Sequence, residues 1–321
     1  MGKRTTTDTE FDLFAPRIAS LPLKDQREVM ERPFFSLSKR RRQKPIEYTS
    51  PDGTVWIHVS GNPEFGIASI WDADILIWAT SKINQMREKG VNDLPRTLNT
   101  TAYDILKAIR RDTGGKGYLE LQAALQRLES TSIQTSIRTP KRQKRAQFGW
   151  LDSWTMEVDA VTGAPRGISL TLSNWVYEGL LQDRSLLTLH PDYFDLSGGL
   201  ERALYRIARK HAGDQASGWT CRVSVLHEKT GSESPLKQFT YLLKKIVVEN
   251  RLPEYVLSHT TAADGSAAIH IVRIGAAERA LAKADFDRAG AALTRRLRED
   301  ARTAEVDDLM GRRHSRAPGD Q

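Results

Sequence analysis

The chain has 321 residues, of which 39% are hydrophobic and 27% are charged, a composition typical of globular proteins. Its 48 lysines and arginines outnumber its 40 aspartates and glutamates, so the formal net charge is +8. The single cysteine, Cys221, excludes an intramolecular disulfide and a cysteine-rich zinc module, and no apolar run is long enough to span a membrane. We therefore expect a cytoplasmic protein that uses no metal or cofactor and binds no membrane.

The first 180 residues predict a helix-turn-helix followed by a β-hairpin. Residues 1–31 are polar and interrupted by prolines, which predicts a flexible N-terminal arm. Alternating residues over 46–48 and 54–60 predict a hairpin. Helical periodicity predicts helices over 72–89, 102–111 and 118–128, the second burying Tyr103, with the glycine-rich run 113–117 before the third. Strands predicted over 131–138, 154–158 and 167–172 place a wing after the third helix.

The same order of elements recurs in the second half of the chain. Periodicity predicts a helix over 174–182, a strand over 186–190, helices over 200–212, 223–229 and 235–249, and strands over 254–259 and 268–273. On the helix over 200–212 we expect Leu204 and Ile207 to face the core and Arg202 and Arg206 to face solvent. An alanine-rich stretch over 276–302 predicts one more helix.

These patterns predict an α+β fold made of two tandem winged helix-turn-helix domains with a C-terminal helical tail. The expected boundaries are a flexible arm over 1–31, domains over 32–180 and 181–275, and a tail over 276–321 that is helical and then disordered and basic.

Two dense blocks of cations flank the first predicted domain. One spans residues 39–44 and the other spans residues 138–145, with no acid between Glu129 and Asp152. Cations packed this densely repel one another and need either bulk water or a polyanion, and two such blocks favour contact with phosphates. The candidate DNA-binding residues from these blocks are Arg40, Arg41, Arg42, Lys141, Arg142, Lys144 and Arg145.

Two predicted helices could read DNA. On the helix over 235–249, one side is apolar, and the other carries Lys237, Gln238, Tyr241, Lys244 and Lys245. An ordinary solvated face normally mixes glutamate with lysine, whereas no acid precedes Glu249 here, so we favour DNA contact. The helix over 118–128 is as compatible with a solvated face as with DNA contact, because Glu120 would repel phosphate. Its candidates are Gln122, Gln126 and Arg127, with Lys116 in the preceding turn.

The sequence motifs of common enzyme classes are absent. The chain contains no G-x-x-x-x-G-K-[ST] phosphate loop, no H-x-H pair, no H-E-x-x-H and no G-x-S-x-G. We therefore expect no catalytic residues.

Several segments together resemble the plasmid replication initiator protein A family of proteobacteria. They are RPFFSLSKR at 32–40, IWDADILIW at 70–78, ALQRL at 124–128 with Thr131, Ile133 and Thr135, the stretches 180–190 and 193–196, and the second helix-and-wing unit. The resemblance covers residues 30–275. It implies a protein that binds direct repeats of double-stranded DNA at a plasmid origin, promotes duplex opening, and recruits a host replication initiator or helicase. Members of the wider class also form homodimers that repress their own promoter.

Other functions remain open. The first alternative is a winged-helix transcriptional repressor that binds a palindromic operator. More distant alternatives are an enzyme that nicks origin DNA and a partition or scaffold protein.

Overall fold

The structure, a computed structural model, describes residues 22–138, 147–158, 165–182, 185–213, 215, 217–275, 288, 292 and 295. The chain divides into two compact parts, residues 1–273 and 274–321. Both predicted winged-helix domains fall in the first part, apart from the last two residues of the second. In the second part Arg288, Ala292 and Arg295 are helical, and the rest of the helix predicted over 276–302 lies outside the described residues.

Helices and short strands alternate through the first part. The strands are β1 (Leu23–Gln26), β2 (Ile46–Thr49), β3 (Trp56–Ser60), β4 (Thr97–Thr100), β5 (Ser132–Thr135), β6 (Gln147–Phe148), β7 (Leu151–Val158), β8 (Pro165–Leu172), β9 (Leu186–Leu189), β10 (Trp219–Arg222), β11 (Tyr255–Thr261) and β12 (Ala267–Arg273). The helices are α1 (Arg27–Met30), α2 (Ala73–Glu88), α3 (Ala102–Ala108), α4 (Gly115–Ser130), α5 (Asn174–Leu181), α6 (Gly199–His211), α7 (Val223–Thr230) and α8 (Leu236–Glu249), with a 3-10 helix at Pro191–Asp195.

Two stretches of the chain share one plan, helix–strand–helix–helix–strand–strand. We call residues 73–172 the first repeat, with α2, β4, α3, α4, β7 and β8, and residues 199–273 the second repeat, with α6, β10, α7, α8, β11 and β12. Their sheets have the orders β4-β8-β7 and β10-β12-β11, so the last strand lies in the middle of both. The first repeat also contains β5 and β6, which join a separate sheet with β2 and β3.

Glycines allow the close approach of the chain between the second and third helices of each repeat. A Cβ on Gly117 would lie 1.9 Å from the carbonyl oxygen of Asp112, so only glycine lets the first turn of α4 come this close to the preceding loop. Gly231 ends α7 in the left-handed conformation, with φ of 63°. The breaks predicted at these glycines therefore have a steric cause.

Most predicted elements are confirmed to within a few residues, because their apolar periodicity matches the buried side of each element. The predicted arm is wrong for residues 22–31, which are folded. There β1 pairs with β9, Leu23 opposite Leu189, and Lys24 N donates a hydrogen bond to Ser81 Oγ of α2 at 2.8 Å. Val29 of α1 is 4% exposed. β1 and α1 have only four residues each, too few for periodicity to reveal them.

The first predicted wing is wrong in its opening strand. β5 pairs with β3, placing Ile133 opposite Val59, and the hairpin of the first repeat is instead β7–β8. Residue alternation reveals that a strand forms but does not identify its partner.

Three side chains on α3 and α6 are oriented differently from the helical-wheel prediction. Tyr103 is 47% exposed, whereas Arg202 and Arg206 are each 3% exposed. Both arginines pair with aspartates far away in sequence, Asp74 and Asp25, at 2.7 and 2.8 Å. A helical wheel assigns arginine to solvent by default, because it contains no information about such a partner.

Aromatic side chains hold the segment after α1 in the core. Phe35 stacks on Trp150 with 4.5 Å between ring centroids, and Phe34 meets the same ring edge-on at 5.7 Å.

Among the described residues, no helix combines the length and apolarity needed to cross a membrane.

Candidate nucleic-acid interface

One side of α8 carries polar side chains that the core does not use. Phe239 and Leu243 face the core and are 0% and 1% exposed. The opposite side is exposed and holds Lys237, Gln238, Tyr241, Lys244 and Lys245, which we call the α8 face. Lys245 Nζ lies 5.2 Å from the centre of the Tyr241 ring. The predicted exposure of this face is confirmed, but Leu236, which belongs to the side predicted to be apolar, is 45% exposed.

Contacts at both ends fix α8 to its neighbours in the second repeat. His227 of α7 meets Phe239 edge-on at 4.9 Å, and its Nε2 lies 2.7 Å from the carbonyl oxygen of Ser234. At the other end Asn250 terminates the helix with φ of 47°, and its Oδ1 accepts a hydrogen bond from Leu257 N of β11 at 3.1 Å. The α8 face is therefore a defined array of side chains rather than a mobile loop.

Two acidic groups near α8 in sequence are already paired. Glu249, the one acid on the helix, lies 3.7 Å from Arg251 Nε. In the turn between β11 and β12, Asp264 pairs with Arg222 at 2.9 Å. Hydrogen bonds from the Ser266 hydroxyl and backbone N–H lower the pKa of Asp264, so it is ionised and available to this pair at neutral pH. The three lysines of the α8 face thus keep their positive charge uncompensated by these acids.

The corresponding helix of the first repeat, α4, is less basic. Lys116 has an 85% exposed side chain, but its Nζ lies 3.7 Å from Glu120. Gln122 is exposed and Gln126 is half-buried. Leu119, also on the exposed side, is 69% exposed.

The prediction of Arg127 as a free cation is wrong. Its Nε and Nη2 donate hydrogen bonds to the two carboxylate oxygens of Asp72 at 2.7 and 2.8 Å. These bonds raise the pKa of Arg127, and Asp72 is only 1% exposed. A bidentate pair to a buried carboxylate holds the guanidinium in place, so Arg127 joins α4 to the start of α2.

The first basic block divides into exposed and buried members. Lys39, Arg40, Arg41 and Lys44 are exposed, and Arg41 Nη1 donates to the carbonyl oxygen of Glu64 at 2.7 Å. Arg42 is 7% exposed, so its prediction as an unpaired cation is wrong. Its guanidinium donates to the carbonyl oxygens of Gly231 and Lys44 at 2.7 and 2.9 Å.

The second block connects β5 to β6. Its predicted residues Lys141, Arg142, Lys144 and Arg145 lie outside the described residues. Arg138, at the described end of this block, is held in the fold by a 2.8 Å ion pair with Glu28 and lies 3.8 Å from the centre of the Trp175 ring.

Two kinds of residue were missed by the sequence reasoning. Lys39 and Lys44 belong to the first predicted block and are exposed, but they were not named among the candidate DNA-binding residues, although the same density of charge applies to them. Asp74 is 0% exposed, and its position within the apolar run of 70–78 was a signal of a buried acid that needs a cation.

In the described part of the chain no cluster of three or more histidine, cysteine, aspartate or glutamate side chains could hold a metal ion.

The fold is similar to that of solved fragments of RctB. One crystal structure of domains 2 and 3 of RctB aligns with a TM-score of 0.54 and 16% identity, over 76% of this chain and 95% of that chain. A second RctB structure covering domains 2–3 aligns with a TM-score of 0.51 and 14% identity, over 79% and 99%. At these identities the likeness establishes the fold alone.

Sequence comparisons establish the family. Residues 24–257 match the family described as Replication initiator protein A. A protein of Wigglesworthia glossinidia brevipalpis named "Putative replication protein" is 35% identical over 229 residues, which is 70% of this chain and 81% of that protein. These sequence matches define the class of the protein as replication initiators. The chain belongs to the replication initiator protein A family, which confirms the resemblance drawn from its sequence.

Proposed function

We propose that this replication initiator binds double-stranded DNA through two tandem winged helices. In the first repeat, α3 and α4 would form the helix-turn-helix and β7–β8 the wing, and in the second repeat α7 and α8 would be followed by the wing β11–β12. The duplicated order of elements supports this assignment, as does the central position of the last strand in both three-stranded sheets.

The α8 face supplies the main sequence-reading contacts in this proposal. Lysine and glutamine side chains can reach base edges in a major groove, and tyrosine can hydrogen-bond phosphate. The single observation that carries the proposal is the exposure of five such side chains on one face of a fixed helix, with no acid before Glu249. Gln122 and Lys116 of α4 would add contacts from the first repeat.

The exposed cations of the first basic block and the loop between β5 and β6 would contact phosphates. We include Arg40 and Arg41 with the predicted loop residues, and we leave out Arg42 and Arg127 because protein groups already occupy their guanidinium donors. Such contacts position a protein on DNA without reading its sequence.

The biological site in this proposal is a plasmid origin. Two reading helices on one chain favour successive half-sites along one side of the duplex, and so direct repeats rather than only palindromes. Binding would promote opening of the duplex and recruit a host initiator or helicase, and a homodimer would repress the protein's own promoter. No catalytic step is assigned to the protein.

Footprinting on the parent replicon tests this proposal. The full chain is incubated with fragments of the replicon that encodes it, and the retained fragments are footprinted at moderate salt. Protection of several direct repeats beside an A·T-rich stretch is the expected result. Protection of one isolated palindrome would favour the repressor, and the absence of any discrete footprint would contradict sequence-specific binding.

A further inference from the structure

A cluster of buried charges lies where the first and second repeats meet. Arg202 Nη1 of α6 donates to both carboxylate oxygens of Asp74 of α2, at 2.7 and 2.9 Å. One turn further along α6, Arg206 pairs at 2.8 Å with Asp25 of β1, a strand that precedes the first repeat and is bound to its helix α2 by the hydrogen bond from Lys24 N to Ser81 Oγ. All four side chains are buried, the most exposed being Asp25 at 6%. Tyr193, from the segment that links the repeats, is 0% exposed, and its ring centre lies 5.1 Å from the Arg202 guanidinium.

The hydrogen bonds of Arg202 determine its position closely. Besides the two bonds to Asp74, its Nε donates to the carbonyl oxygen of Leu196 at 2.7 Å and its Nη2 to that of Phe194 at 2.8 Å. Arg111, which follows α3, also donates to Asp74 Oδ2, at 3.1 Å. The bonds to Asp74 tie α6 to α2, and the other two tie α6 to the segment just before it, so the planar guanidinium restricts how α6 can lie against α2.

Hydrophobic residues could hold the repeats together without these charges. Buried ion pairs contribute little net stability compared with apolar side chains of similar volume, because each charge loses its hydration on burial. Their best-attested effect is to exclude alternative registers, since a shifted arrangement leaves buried charges without partners.

A separate contact joins the first basic block to the turn before α8. Arg42 Nη1 donates to the carbonyl oxygen of Gly231 at 2.7 Å, and its Nε lies 3.6 Å from Glu233. A Cβ on Gly231 would lie 2.5 Å from Pro33 Cβ, so the turn and the segment after α1 are in close contact. The block that carries Arg40 and Arg41 therefore has a fixed position relative to the start of α8.

We propose that the Asp74–Arg202 and Asp25–Arg206 pairs act as positioning residues that set one register between the two repeats. Because that register determines the distance and angle between α4 and α8, it also determines which spacing of DNA half-sites the protein accepts. The second statement rests on the proposed DNA-binding function, whereas the first concerns the protein alone.

Distance measurements between spin labels test the register without DNA. Labels are attached at Glu129→Cys on α4 and Val248→Cys on α8, both exposed, in a Cys221→Ala background of the full chain. The parent protein should give one narrow distance distribution by pulsed electron paramagnetic resonance. The double variants Asp74→Leu/Arg202→Met and Asp25→Leu/Arg206→Met leave no member of the altered pair buried and unpaired. They should keep their circular dichroism and give a broadened or second distance.

The matched control is a surface ion pair that joins the first repeat to the segment linking the repeats. Arg110 pairs with Asp195, and their side chains are 42% and 57% exposed. Arg110→Met/Asp195→Leu should leave the distance unchanged. If neither double variant folds, the single variant Arg202→Lys tests the proposal, because lysine keeps the positive charge but lacks the planar guanidinium. The proposal is overturned if the folded double variants give the single narrow distance of the parent. It is also overturned if Arg202→Lys gives that distance when neither double variant folds.

Binding to spacer-insertion fragments tests the consequence for DNA. Fragments of the footprinted site carry insertions of one to five base pairs between the half-sites contacted by one chain. The parent protein should lose about tenfold or more in affinity on insertion, and the pair variants should lose less than about threefold. An equal loss in parent and variants overturns the link to half-site spacing. No footprint for the parent protein would refute the DNA-binding proposal, while the spin-label distances would still decide the register.

Discussion

Replacing the adjacent lysines of the α8 face tests whether that face contacts phosphates. Lys244 and Lys245 are exposed, so Lys244→Ala/Lys245→Ala removes two charges without opening a cavity. Alanine also favours helix, so the melting temperature should change little. We expect DNA affinity to fall and its dependence on salt to become weaker, because fewer counterions are released when the complex forms.

The size of the effect follows from the number of phosphate contacts. Contact with about eight phosphates predicts a slope of about −7 for the logarithm of affinity against the logarithm of salt concentration. Loss of two contacts changes this slope to about −5. Between 50 and 200 mM salt the parent should lose roughly four decades of affinity and the variant roughly three.

Fluorescence anisotropy measures both quantities with a labelled duplex that contains the footprinted site. Titrations at four salt concentrations give the slope, and a thermal melt of each protein checks the fold. Lys89→Ala/Lys107→Ala is the matched control, since it removes the same charge from exposed positions outside the α8 face. An unchanged affinity and slope would refute the assignment, and a large fall in melting temperature would show that these lysines support the fold instead.

Three further predictions concern packing, pH and the basic loop. Leu243→Ala should lower the free energy of unfolding by about 2–5 kcal/mol, whereas Val248→Ala, at a position 71% exposed, should change it by less than about 0.5 kcal/mol in urea titrations. Burial alone would raise the pKa of Glu31, but a hydrogen bond from His211 and nearby cations lower it to about 2. Because the folded pKa lies below the ordinary 4.5, Glu31→Gln should cost about 1–2 kcal/mol at pH 7, less than the full shift since solvent screens a carboxylate that is not wholly buried. The difference should shrink as pH falls from 4.5 toward 2, and an equal difference at pH 7 and pH 3 would contradict this. Replacing the loop cations with alanine should weaken specific and non-specific DNA binding alike, and an unchanged salt slope would exclude phosphate contact by Lys141, Arg142, Lys144 and Arg145.

Local periodicity predicted the parts of the fold whose burial follows a repeating pattern. α8 is the clearest case, because Phe239 and Leu243 recur at helical spacing and their burial leaves the α8 face exposed. The glycine breaks before α4 and after α7 were also readable, since glycine tolerates close approach and left-handed backbone. The candidate site was predicted best where it depended on one such helix.

Contacts between distant segments account for the errors. Arg127, Arg42 and Arg202 look alike in sequence to the exposed arginines, and each has a partner at least 55 residues away. A sequence pattern predicts a basic residue to be solvent-exposed by default, because burial of an arginine depends on a hydrogen-bond acceptor that another segment supplies. β5 was likewise recognised as a strand and assigned to the wrong sheet.

The sequence by itself determined the class of fold, the recurring order of three helices followed by two strands without β4 and β10, the basic side of α8 and the family of the protein. These properties depend on nearest neighbours, on helical or strand periodicity, and on motifs that are contiguous in the chain. Only the tertiary structure decided which cations face solvent and how the two repeats are joined. The reason is that hydrogen-bonded ion pairs such as Asp74–Arg202 form between side chains brought together by folding, and their energy depends on a burial that no local pattern specifies.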